Sequence, residues 1–165
     1  TGGFAPQDRA TDFMRELKRG EEDEVSALLT AAFGQKDEAK LVDDLRKTRA
    51  IAGEMVLPSS EGIVGYAALS TMISPKGWLC LAPVAIRPDM QRHGHGRRLV
   101  GMISQWSVMS GNSLVVLGDP AFYTRCGFDP IPAGFTSPYP LDHTLIAGPT
   151  QTKTPALIYP KAFEG

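Results

Sequence analysis

The chain is 165 residues long, with 42% hydrophobic and 21% charged residues, proportions near globular averages that exclude general disorder. Lys and Arg number 17 against 18 Asp and Glu, a net charge of −1, so no overall basic field draws the chain to nucleic acid or to an anionic membrane. The length suffices for one domain with its own core, and no apolar run approaches the roughly 20 residues that span a bilayer.

Residues 1–12 read as a polar tail or an expression remnant, with neither an initiator Met nor a signal-peptide pattern, which leaves 13–165 as a single domain. Phe13 to Lys18 alternates loosely and is expected to form a short strand. After Gly20, the acids Glu21 to Glu24 open a helix carrying Val25, Leu28, Leu29, Ala32 and Phe33 at helical spacing. Acids in a first turn complement the helix dipole, and Gly34 is suited to end the helix. Asp37 is expected to cap a second helix with Leu41, Val42 and Leu45 on one face. The acids along both helices form a solvated face.

From Ile51 the pattern changes to strands. Ile51 to Leu57, Gly62 to Met72 and Gly77 to Ile86 are separated by Pro58-Ser59-Ser60-Glu61 and Ser74-Pro75-Lys76, turn chemistry that predicts an antiparallel meander. A helix from Gly96 to Ser110 is expected to bury the stripe Leu99, Met102, Ile103, Trp106 and Met109, with Gly111-Asn112 ending it. Leu114 to Leu117 reads as a strand buried on both faces. A short helix, Ala121 to Cys126, follows, with Asp119 placed to cap it and Gly127 to stop it. Prolines then recur; Phe128-Asp129 begins a further strand, and Thr154 to Tyr159 is the expected closing strand. This order indicates an α/β or α+β sheet domain with helices crossing between strands. Cys80 and Cys126 lack metal-like spacing and read as reduced, buried thiols, which suits a reducing, cytoplasmic setting.

The chemistry concentrates where a strand passes into a helix, from Leu81 to Leu99. Pro88 breaks the strand, and the polar loop Gln91-Arg92-His93-Gly94-His95-Gly96 flows into the amphipathic helix. Glycines there let a backbone approach a ligand closely. The first amides of the helix have no partners within it and lie at its positive end, so a pyrophosphate is a natural guest. Arg92, Arg97 and Arg98 add charge around it. The spacing lacks the third glycine of the dinucleotide fingerprint and the Gly-Lys-Ser/Thr of triphosphate loops, which sets a mononucleotide-binding reading aside. His93 and His95 have no third ligand close in sequence, and no metal is expected.

Gln91-x-x-Gly94-x-Gly96, preceded by Pro83-Val84-Ala85-Ile86-x-Pro88, resembles the pyrophosphate-binding motif of the GNAT superfamily of acyl-CoA-dependent N-acetyltransferases. Val115 to Phe128, containing Gly118-Asp119-Pro120-Ala121-Phe122-Tyr123-Thr124-Arg125-Cys126-Gly127-Phe128, is similar to the family's fifth strand and following helix. The resemblance implies a mixed, largely antiparallel central sheet with splayed strands 4 and 5, flanked by helices. It implies that acetyl-CoA, as cosubstrate, lays its pantetheine arm along Val84, Ala85 and Ile86 and its pyrophosphate over Gln91, Arg92, His93, Gly94, His95, Gly96 and Arg97. It further implies that the Val84 backbone amide supports the developing oxyanion and that Tyr123, which also contacts the cofactor, protonates the departing thiolate as general acid.

The sequence departs from many relatives in one respect: Gly77 to Val84 contains no carboxylate where they place a basic glutamate. Glu54 and His143 are the candidates in its stead, and the base is left unassigned. Cys80 as an acyl-enzyme nucleophile has no base or histidine nearby in sequence. The expected function is transfer of an acetyl group from acetyl-CoA to a primary amine by direct attack; the rival is a non-catalytic acyl-CoA-binding or sensor module. Expected partners are acetyl-CoA and an amine chosen by variable loops, with no nucleic acid and no membrane, and the chain as monomer or homodimer.

Overall fold

The computed structural model describes residues 11–164, so residues 1–10 of the expected tail lie outside the described residues. Seven strands form one sheet in the order β1-β2-β3-β4-β5-β7-β6: β1 (Arg15–Glu16), β2 (Ile51–Ser59), β3 (Gly62–Thr71), β4 (Leu79–Ile86), β5 (Leu114–Leu117), β6 (Asp129–Pro130) and β7 (Thr144–Ala147). The helices are α1 (Glu22–Phe33), α2 (Asp37–Lys47), α3 (His95–Ser110) and α4 (Pro120–Arg125). β2, β3 and β4 form the expected antiparallel meander. The β4–β5 pair is parallel and is confined to Leu79↔Leu114 and Cys80↔Val115. Beyond Cys80 the two strands part.

Side chains alternate across a strand, and the core divides accordingly. On one face, Val25, Leu28 and Leu29 of α1 and Ala39 and Val42 of α2 pack on Val56, Tyr66, Ala68 and Ala85. On the other, Leu99, Val100 and Ile103 of α3 pack on Ala67, Leu69, Leu81, Leu114 and Val116. Leu99 and Ile103 are almost wholly buried, worth roughly 1.5–3 kcal/mol each. Under β4, β5 and β7 the α1/α2 face is covered by coil: Phe135, Leu157 and Tyr159 close over Cys80, Val115 and Ile146.

Several boundaries differ from expectation. The first strand is only two residues, paired to β2 at Arg15↔Val56 and Glu16↔Met55. Asp37 is the first helical residue of α2, Lys36 stands at the cap, and no side chain caps it. The buried stripe of α3 is rotated: Leu99 and Ile103 are inside with Val100, Ser104 and Ser107, while Trp106 (40% exposed) and Met109 (79%) face outward. Serine fits where α3 meets α4, since Ser104 Oγ donates to the Cys126 carbonyl and Ser107 Oγ to the Ser104 carbonyl. Thr154 to Tyr159 is no strand. Its prolines leave only isolated bridges, Ala156 to Thr136 and Ile158 to Ser74, and β7 takes the place in the sheet.

Candidate functional site

A bulge in β4 aims the site. Ala67 pairs with Val84 but Leu69 pairs with Leu81, so β4 carries an extra residue against β3, a device that kinks a strand and redirects its side chains. Beyond it, Val84 and Ile86 lie on the α3 face beside Leu79 and Leu81, and Ala85 points into the α1/α2 cluster. The three residues expected to line the donor site therefore divide: two side chains reach the cleft and one does not.

The loop after β4 is tied down at both ends. Met90, in the turn Pro88–Met90, is buried against Leu57 and Val64. Gln91 Nε2 donates to the Ile86 carbonyl at 2.9 Å, so this side chain braces the loop against the end of β4. Arg92 and Gly94 take positive φ values of 67° and 83°, and Gly94 stands at the cap of α3. No side chain caps α3, and its first turn holds no acid. The leading turn of this sixteen-residue helix thus brings Gly94, Gly96 and Arg97 to the cleft at the positive end of its dipole. Gly96 lies at the cleft floor, where an added Cβ would stand 3.5 Å from Ile86 Cγ1 and 3.9 Å from Phe122 Cζ.

Val84, Ile86, Gln91, Arg92, Gly94, Gly96, Arg97, Phe122 and Tyr123 surround a cleft of about 360 Å³. His93 is exposed and His95 buried; their rings stand 6.3 Å apart, and neither lines the cleft. Arg98 is exposed and also off its wall. Among the described residues no group of three or more His, Cys, Asp or Glu is placed to hold a metal. Phe122 is a further cleft residue, with no role expected from the sequence; its place next to Tyr123 in the motif at the start of α4 is the signal that points to it.

Tyr123 is fixed by its own helix and by two rings. Asp119 Oδ1 accepts from the Ala121 N–H at 3.1 Å, capping α4 as expected. The Tyr123 ring meets Phe122 and Phe128 edge-on at 5.0 and 5.7 Å. Burial, assisted by the nearby Cys126 and Cys80, pushes its phenol up to about 12, so it holds its proton throughout the neutral range. The cleft combines an anion cradle with Arg92 and Arg97 beside it, an apolar slot between β4 and Phe122, and a protonated phenol at the inner end.

The other candidates are placed differently. Glu54 receives the Arg46 guanidinium at 2.7 Å and the Tyr66 hydroxyl at 2.6 Å, on the α1/α2 face. It is an occupied structural carboxylate. His143 is exposed, and its carbonyl accepts from the Gly118 N–H at 3.0 Å, which sets it beside the end of β5. Cys80 is fully buried, and burial raises its thiol to about 12; a thiol held protonated is no nucleophile.

Comparison with known proteins agrees with this geometry. A family model described as an acetyltransferase (GNAT) domain matches residues 50–130. The uncharacterized N-acetyltransferase YhbS of Escherichia coli is 34% identical over 111 residues, 64% of this chain and 66% of that protein, so the match spans just under two thirds of its length. The uncharacterized N-acetyltransferase YjhQ, also from Escherichia coli, is 33% identical over 122 residues, 68% of this chain and 67% of its own. Among solved structures, Escherichia coli YhbS in complex with CoA superposes with a TM-score of 0.83 at 26% identity, covering 93% of this chain and 92% of that one. A GNAT acetyltransferase from Brucella melitensis in complex with acetyl-CoA gives 0.76 at 24% identity, covering 92% and 97%.

Proposed function

This chain belongs to the GNAT acetyltransferase family, and we propose that it transfers an acetyl group from acetyl-CoA to a primary amine. The observation that carries the reading is the cleft itself: an uncapped helix N-terminus with Arg92 and Arg97 at one end, and the Tyr123 phenol at the other. A charged, extended donor with an apolar middle and a thioester tip fits that gradient, and the YhbS structure is a complex with CoA. In this reading the amides of the 91–97 loop hold the pyrophosphate, and Val84 to Ile86 guide the pantetheine arm through the parting of β4 and β5.

The amine nitrogen attacks the thioester carbon directly. The Val84 amide supports the oxyanion, and Tyr123 gives its proton to the sulfur as the C–S bond breaks. Holding both reactants in one cleft supplies much of the acceleration. Glu54 takes no part as base, being engaged by Arg46 and Tyr66; a neutral amine that loses its proton to solvent needs none. Residues 13–165 act as one domain, and the two free, buried cysteines fit a reducing, cytoplasmic setting. No described helix is long and apolar enough to cross a membrane.

Thiol release from acetyl-CoA, followed with and without a panel of amines, tests this function. Amine-dependent release is expected. Tight acetyl-CoA binding with no amine-dependent release would favour the non-catalytic binding module.

A further inference from the structure

Trp106, displaced from the expected buried stripe of α3, stands 40% exposed and closes one side of a groove separate from the donor cleft. The groove, about 270 Å³, runs between α3 and the β1–β2 edge of the sheet. Gly53 and Leu69 form its floor, Ile103 and Trp106 its α3 side, and Met14 and Glu16 its rim. None of these residues lines the donor cleft. Leu79 also reaches the groove and opens β4, whereas Val84 lies roughly 15 Å further along that strand. The groove is therefore a second site and not the place where the thioester is attacked.

Two features show what it fits. Glu16 is the only charged residue in the lining. It stands opposite Met55, whose side chain packs on the α3 face, so both project toward the groove. Among the described residues the Glu16 carboxylate has no hydrogen-bond or ion-pair partner. Its neighbour Arg15 donates to the Glu16 backbone carbonyl and gives its charge to Glu21 at 2.8 Å. Gly53 keeps the floor open. It lies at a register shift in β2, yet its φ is not left-handed, so the backbone there does not require glycine. An added Cβ would meet only Leu69 Cδ1, at 3.8 Å. A larger side chain would be tolerated by the strand and would fill the groove, and a glycine inside a strand marks a place where a ligand comes close.

We infer that this groove binds a primary ammonium carried on an apolar alkyl or aryl body. The body lies over Gly53 and Leu69 and is covered by Trp106, with the thioether of Met14 adapting to its shape. The ammonium stays at the rim, where the Glu16 carboxylate accepts its N–H and supplies the opposite charge. The site holds its ligand by contact alone and transfers no group, so it stands or falls independently of the acetyl-transfer reading.

The probes are n-octylamine and octanoate, which share a chain and differ in charge, titrated without acetyl-CoA and followed by calorimetry and by tryptophan emission. Octylamine is expected to bind with a Kd on the order of 1 mM or tighter, and octanoate about threefold or more weakly. Glu16→Gln, at an exposed position, should erase that preference. Gly53→Val should weaken octylamine about tenfold by occupying its space. Both variants should keep the acetyl-CoA Kd within about twofold, which also shows that they are folded. Equal binding of the two probes by the wild type, no binding of octylamine, or undiminished binding in Gly53→Val overturns the inference. A wild-type dimer in sedimentation that Gly53→Val dissociates would seat a second copy of the chain in the groove and overturn it as well.

Discussion

Gly118 lies directly against the ring of Tyr123: a Cβ placed on Gly118 would stand 2.5 Å from Tyr123 Cε2 and 3.3 Å from Cδ2. The glycine serves not a special torsion but the close passage of an aromatic ring over the end of β5. Gly118→Ala is therefore expected to push the phenol out of line. Turnover should fall about 10²-fold, the scale of a displacement near 1 Å, with about 1–3 kcal/mol of stability lost to overpacking. Steady-state kinetics beside thermal unfolding checks both; an alanine variant with wild-type turnover would free Tyr123 from this restraint.

Gly94 presents the opposite case. Nothing lies within 4 Å of an added Cβ, but its φ of 83° is one that side chains rarely adopt. Gly94→Val should cost about 1–3 kcal/mol through backbone strain and, by shifting the cradle, weaken acetyl-CoA binding about tenfold in calorimetry. Gly20→Val is the control, because Gly20 has a similarly positive φ of 98° and equally open surroundings but precedes α1, away from the cleft. It should lose stability and keep its affinity.

The Arg46–Glu54 pair predicts a stability effect without a catalytic one. The two side chains are only 23% and 13% exposed, and the Tyr66 hydroxyl donates to the same carboxylate. Glu54→Gln strands part of a buried guanidinium and should cost about 1–3 kcal/mol in denaturant unfolding, with kcat unchanged. A large fall in kcat with intact stability would return Glu54 to the chemistry.

Alkaline stability follows from the Tyr123 phenol. Burial raises it to about 12 in the fold, against about 10 in the unfolded chain. Between those values the unfolded chain has released the proton and the native state still holds it, so stability falls as pH rises through that window. Below the unfolded value the contribution is fully present. Tyr123→Phe should flatten this decline, read as the slope of unfolding free energy against pH between roughly 10 and 12; an unaltered slope would place the phenol in water.

Much of this was legible in the sequence, for physical reasons. The strand-to-loop-to-helix passage at Val84 to Leu99 is written in local chemistry, with Pro88, Gly94 and the helical period each acting where it stands. The meander from Ile51 to Ile86 follows from turns and apolar runs in the same way. What escaped depends on tertiary partners. Trp106 and Met109 fit an apolar stripe on α3, but Ser104 and Ser107 occupy the inner face, since α4 comes close enough to receive a serine hydroxyl. Thr144 to Ala147 is four residues long and gains its place only by pairing with Leu114 to Leu117. The bulge that separates Ala85 from Val84 and Ile86 arises from pairing with β3 and leaves no composition mark. Tyr159 looked like part of a strand because its alternation was visible and its ring neighbours were not.

The measurement closest to the centre of the account is turnover of Tyr123→Phe at saturating acetyl-CoA, set beside its affinity for acetyl-CoA. The phenol acts only as the thiolate leaves, so kcat should fall on the order of 10²-fold or more, while the Kd stays within about twofold because the cradle at Gln91 to Arg97 is untouched. Undiminished kcat with an accepted amine would contradict the role given to Tyr123.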